Sequence, residues 1–200
     1  MRLTVKLFVV VVFSAVFASA QTPAPTPAQT PAPTPSDAQQ FAKGGLSFNY
    51  PRGWTLNDIS DDDAHQYSFT NSANAIQMRV FAHKGRIGAE KLPDAKKAFI
   101  DPYVASIEKQ FAQMGATPQK TADTSEIGGV KADGVQLTAS LAGEPGAAKI
   151  YWAVVGRRVI VMTLFGPDRD IKKYATAWDM LRTTMKIEEP APAGSPSPKP

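Results

Sequence analysis

Residues 149–167 read KIYWAVVGRRVIVMTLFGP, and the pairing of this stretch decides the fold. Two apolar runs, 150–155 and 159–165, flank Gly156-Arg157-Arg158, and Gly166-Pro167 stops the second. Neither run alternates. Both are apolar on both faces and rich in Val, Ile and aromatic residues, the signature of strands in the middle of a sheet covered on both sides. The short Gly-Arg turn joins them as an antiparallel hairpin, around which the other elements arrange themselves.

Upstream strands alternate instead. Leu46, Phe48 and Tyr50 alternate with Ser47 and Asn49 ahead of the Pro51-Arg52-Gly53 turn and Trp54. Tyr67 and Phe69 point inward from a strand over 66–70. After turn chemistry at 71–74, Ile76, Met78, Val80 and Ala82 share one face, with Gln77, Arg79, Phe81 and His83 on the other. These two runs form a predicted hairpin. A fourth alternating strand sets Val135, Leu137, Ala139 and Leu141 against Gln136, Thr138 and Ser140, and Gly143-Glu144-Pro145-Gly146 breaks it.

Two helices separate these groups. Pro102 fits only the first turn of a helix, with Asp101 as its N-cap. Val104, Ile107, Phe111 and Met114 then form one apolar stripe that Gly115 ends, and the stretch 94–100 is a separate helical segment meeting this helix at a kink. A polar loop leads to the strand beginning at 135. The closing helix carries Ile171, Tyr174, Trp178, Leu181 and Met185, with a short strand over 185–187. The short links between strands predict an α+β fold, a central and mainly antiparallel sheet of about six strands flanked by helices.

The ends of the chain are of another kind. Arg2 and Lys6, the uncharged run 7–17 and Ala18-Ser19-Ala20 make the three parts of a signal peptide over 1–20. QTPAPTPAQTPAPTPS (21–36) is a proline-rich linker that favours extended polyproline II, and residues 190–200 are a second proline-rich tail. The domain therefore spans 37–189, and no later stretch is apolar and long enough to span a bilayer. These features predict export to the periplasm or the extracellular space.

The chain of 200 residues has a net charge of +4, yet between 37 and 189 it carries 19 Lys and Arg against all 18 of its acids. That near-neutral, interspersed balance gives no footprint for nucleic acid. Having no cysteine excludes a disulfide scaffold, a thiol nucleophile and a thiolate metal site.

GLSFNYPRGW (45–54), YWAVVGRRVIVMTLFGP (151–167) and YATAWDMLRTTMKI (174–187) together resemble the PsbP/Mog1-like fold, in particular bacterial PsbP-like C-terminal domains. The resemblance spans roughly 43–187 and implies an α/β/α sandwich. It also implies a non-catalytic role, since members of that family mostly act by binding other macromolecules. It carries over no functional residue, because the matching positions are core and turn positions.

Chemistry is sparse. Asp61-Asp62-Asp63 followed by His65 is the one stretch that resembles a set of hard ligands, but three adjacent acids point in different directions, and a solvated loop is the simpler reading. Asp168 and Asp170 stand where acids complement a helix dipole. Arg157 and Arg158 cap a hairpin. His83 has no assignable partner, and neither a G-x-S-x-G elbow nor an H-E-x-x-H motif is present. No cofactor or metal is predicted. The polar strand faces carrying Gln77, Arg79, His83, Gln136 and Thr138 are the candidate binding surface, toward a protein or envelope component. The alternatives are a metal-dependent or hydrolytic enzyme using Asp61 to His65 or His83, and a spacer module of the envelope.

Overall fold

The computed structural model describes residues 38–71, 73, 76–141 and 143–188. The predicted signal peptide, linker and tail lie outside the described residues.

The decisive hairpin is present. Strands β8 (Glu144–Val155) and β9 (Arg158–Pro167) pair antiparallel from Gly146↔Pro167 to Val155↔Arg158. Gly156 and Arg157 both have positive φ, 52° and 58°, so the turn twists with the strands. Strand β9 occupies the middle of a seven-stranded antiparallel sheet. Its flank on one side is β5 (Gln77–His83), then β4 (Ala64–Thr70) and β3 (Thr55–Asp58). On the other side lie β8, then β7 (Val130–Leu141) and β6 (Gln119–Ile127) at the edge. A second sheet holds β1 (Ala38–Lys43), β2 (Leu46–Pro51) and β10 (Lys186–Ile187). The fold is α+β, as the pattern of elements predicts.

Each face of the large sheet has its own core. On one, Phe69, Met78, Val80, Met162, Leu164 and Tyr151 meet Leu46 and Phe48 of the small sheet. Ile171 of α3 (Asp168–Lys173) joins this core, as do Ala177, Trp178 and Leu181 of α4 (Ala175–Thr183). On the other, Leu137, Ala148, Ile150, Trp152, Val159 and Val161 pack against Val104, Ile107 and Phe111 of α2 (Asp101–Gln113). Each fully buried aliphatic or aromatic side chain here contributes about 1.5–3 kcal/mol.

The helix leading into α2 departs from expectation. Asp101 is no N-cap: the backbone is helical from α1 (Leu92–Ala95) through a π turn at Lys96–Ile100 into α2. Pro102 explains the π turn. Its ring would clash with the carbonyl four residues back, and widening the helix by one residue removes that clash. The amide of Asp101 accordingly donates to Lys96, five residues back. Met114 falls beyond the end of α2 and is 48% exposed, so it leaves the predicted apolar stripe. Tyr174 breaks the closing helix into α3 and α4, while Met185, past the end of α4, is still buried.

Three further differences share one cause. The predicted polar loop before 135 contains β6, and β1 and β3 were not anticipated either. All three are edge strands, with Ile127 of β6 their one buried residue, so they lack the apolar alternation by which strands are recognised. Strand β8 also begins earlier than expected, with Pro145 and Gly146 inside its ladder with β7. The strand bearing GLSFNY pairs into the small sheet rather than the central one.

Candidate functional site

Pairing register decides which of the five candidate surface residues can act together. Arg79 pairs with Ser68 on β4 and with Thr163 on β9, in the row that continues to Ile150 and Val135. That row faces α2, and the alternation along β5 puts Gln77, Phe81 and His83 on the same face. Gln136 pairs with Lys149, which pairs with Leu164 of the opposite core, and Thr138 pairs with Ala147 of that core. Gln136 and Thr138 therefore lie on the other side of the sheet, beside a shallow hollow with Thr117, Ser140 and Asp168. Gln77, Arg79 and His83 are brought together; Gln136 and Thr138 are not among them.

On the α2 face the helix covers β7, β8 and β9 and stops short of β4 and β5. Among the described residues, no fully buried member of this core comes from β4 or β5, and Phe81 is only partly buried against it. A cavity of about 200 Å³ opens where the cover ends. Gln66, Arg79, Phe81, Val161 and Thr163 line it from the sheet, Phe99 and Tyr103 from the helical segment, and Ile59 from the chain after β3.

The π turn and the first turn of α2 supply that roof. Phe99 lies 5.6 Å from Phe81 and stacks on His83, with ring centroids 5.5 Å apart and planes within 6°. The Tyr103 hydroxyl and Thr163 Oγ1 are 2.9 Å apart in a hydrogen bond, so Thr163, only 3% exposed, is satisfied. His83 Nδ1 accepts the amide of Gly85 at 3.0 Å. Gln66 gives its side-chain amide to Asp61 Oδ2 at 2.8 Å.

Arg79 differs from all of these. It is the only charged side chain lining the cavity, and its Nε is buried with no hydrogen-bond partner among the described residues. A guanidinium nitrogen in that position is costly unless an acceptor reaches it. Ile59, at 55% exposure, places an apolar side chain in the cavity wall that is open to water. Neither feature was legible in the sequence, since both depend on where α2 ends relative to the sheet.

The Asp61–His65 stretch is occupied with its own turn. Asp61 Oδ1 accepts the amides of Asp63 (3.0 Å) and Ala64 (2.8 Å), and these hydrogen bonds hold its carboxyl below the usual range. The Lys84 ammonium donates to the Asp61 carbonyl. His65 stacks on Tyr67, and burial, aided by the charges of Lys84 and Arg158, pushes its imidazole below the ordinary value. Among the described residues no three His, Asp or Glu side chains stand close enough together to hold a metal ion. Arg158 is committed to the Gly44 carbonyl at 2.8 Å. Asp168 and Asp170 fall in the first turn of α3, with Asp168 paired to Lys172 at 3.1 Å.

No family model matches the chain, and no curated protein does. Solved structures do. A protein of Bacteroides thetaiotaomicron is similar over 76% of this chain at 15% identity, with a TM-score of 0.50, and this chain spans about half of that protein's length, 49%. The solution structure of cyanobacterial PsbP (CyanoP) from Synechocystis sp. PCC 6803 is similar over 76% of this chain and 93% of its own, at 16% identity and a TM-score of 0.47. LpqN, involved in cell envelope biogenesis of Mycobacterium tuberculosis, is similar over 80% of this chain and 100% of its own, at 14% identity and a TM-score of 0.34. At such identities the likeness is one of fold alone. Among the described residues, no helix is long and apolar enough to cross a membrane.

Proposed function

We propose that this chain is an exported, non-catalytic binding module that engages an envelope component or protein through the β5 face carrying Gln77, Arg79 and His83. The observation that carries the reading is the cavity at the edge of α2, with a single guanidinium whose Nε lacks a partner among the described residues. A small number of convergent polar groups in an otherwise apolar hollow is how binding sites are usually built. The signal-like N-terminus supports export. Gln136 and Thr138, on the opposite face, serve as the internal control.

Site-specific photo-crosslinking in cells that produce the chain tests this, with the photoreactive residue at position 77 or 83 in one set and at 136 or 138 in the other. Adducts in the exported fraction confined to 77 and 83 support the reading. Equal adducts from both faces, or none from 77 and 83, overturn it.

A further inference from the structure

We propose that the cavity beneath Phe99 and Tyr103 is a binding site for a compact aromatic carboxylate, whose ring lies against the Phe81–Phe99 pair and whose carboxylate meets Arg79. The proposal rests on the β5 face being the binding face, and names the class of ligand it takes.

Size comes first. A cavity of about 150 Å³ accommodates benzene, so the 200 Å³ here has room for one ring with a short acidic substituent and not for a long acyl chain. Shape follows from the lining. Phe81 and Phe99 stand 5.6 Å apart at an interplanar angle of 39°, and Val161 and Ile59 add aliphatic walls. Aromatic pairs are favoured at centroid distances of about 4.5–7 Å, so a ring held in the cavity beside the Phe81–Phe99 pair gains contacts of that kind.

Charge selects the head group. Arg79 is the only ionised side chain in the lining, and its two cross-strand partners, Ser68 and Thr163, are neutral. Thr163 is engaged by Tyr103, and Gln66 by Asp61. What remains without an anionic partner in the lining is the guanidinium of Arg79. A carboxylate meets the two outer Nη groups of Arg79 together as a two-pronged acceptor, which a neutral amide or alcohol does not match. Nothing in the binding step is covalent, and no acid–base group is required.

The test titrates phenylacetate, and phenylacetamide as its neutral counterpart, into the mature chain and into Arg79→Met, followed by amide chemical shifts in ¹⁵N-correlation NMR. The expected result is saturable phenylacetate binding, with shifts centred on Phe81, Phe99 and Val161. It should be at least tenfold tighter than the amide, with that preference lost in Arg79→Met. Hexanoate, an aliphatic acid of similar size, should bind more weakly than phenylacetate. Equal affinity for acid and amide overturns the role of Arg79, and shifts centred elsewhere, or no saturation by 20 mM, overturn the site. If phenylacetate fails while crosslinks still form at 77 and 83, the face stands and the ligand class falls. If both fail, the face falls too.

Discussion

Replacing Arg79 by Met should make the protein more stable, a result contrary to what loss of a charged side chain on a folded sheet would ordinarily suggest. The Nε–H of Arg79 is buried without an acceptor among the described residues, and neither neighbour across the strands carries a negative charge. An unsatisfied buried donor costs about 1–3 kcal/mol. Only this one nitrogen of the guanidinium is so placed, so the low end, about 1 kcal/mol, is appropriate. Methionine retains an unbranched apolar stem of similar reach and fills the space without a donor to satisfy. A gain of about 1 kcal/mol raises the melting temperature by roughly 2–4 °C in a domain of this size. In urea, with an m-value of about 2 kcal/mol/M, it moves the midpoint up by about 0.5 M at unchanged slope. Equilibrium urea unfolding of the mature chain reads this directly. Arg52→Met is the control: Arg52 lies exposed in the turn after β2, and its loss should shift stability by less than about 0.5 kcal/mol. A drop in the midpoint of Arg79→Met by 0.5 M would refute the reasoning, because it would mean that Arg79 has a structural partner and that its guanidinium is not held ready for a ligand.

Phe111→Ala should cost about 3–5 kcal/mol by urea unfolding, since Phe111 is 0% exposed and meets Phe165 with ring centroids 5.5 Å apart, anchoring α2 to the sheet. Gly128 and Gly129 both have positive φ, 57° and 80°, which costs a non-glycine residue about 1–2 kcal/mol. Only a Cβ at Gly128 would run into the Met185 carbonyl, so in thermal melts Gly128→Ala should unfold well below Gly129→Ala; equal melting points would contradict the packing of this turn on the chain after α4. For His65, burial lowers the pKa below 6.5, so the folded state favours the neutral ring. Its contribution is present above about pH 6.5 and is lost as pH falls through the lowered value. Stability should therefore decline between pH 7 and 5 with a slope that His65→Asn reduces; an unchanged slope would show that His65 is not the group responsible.

The sequence disclosed the centre of the sheet more readily than its edges, for a physical reason. Strands β8 and β9 are covered on both faces, so they must be apolar throughout, and that composition is visible in 150–155 and 159–165. The edge strands β1, β3 and β6 commit few side chains to the core, Phe41, Leu56 and Ile127 among them, and the backbone pairing that completes them leaves little mark on side-chain polarity; QKTADTSEI in β6 reads as loop although it pairs with β7 along its whole length. The candidate surface divided for a related reason. Along β5 the apolar positions face the α3–α4 core, whereas along β7 Leu137 faces the α2 core. Alternation separates one face of a strand from the other, but it does not tell which of two cores the apolar face joins. Arg79 and Gln136 are both polar partners of apolar neighbours, and only register places them on opposite sides of the sheet.

The cavity itself follows from the width of the sheet. Seven strands about 4.8 Å apart span about 30 Å, whereas a helix with its side chains is about 10–12 Å across. On the α2 face the cover is one helical segment, α1 through α2, which reaches over about three strands. The strands left beyond it can be polar and solvated, as β6 is, or they can keep apolar side chains that nothing fully covers. Strand β5 does the second: Phe81 remains only partly buried beside Arg79, and the π turn forced by Pro102 brings Phe99 just far enough over to roof the gap without filling it. A sheet evolved for stability alone would close that gap with a larger residue or make it polar. Keeping phenylalanine, a guanidinium without an acid beside it and an exposed Ile59 around the same hollow sacrifices stability at three positions at once, which is what the ligand site proposed above would require.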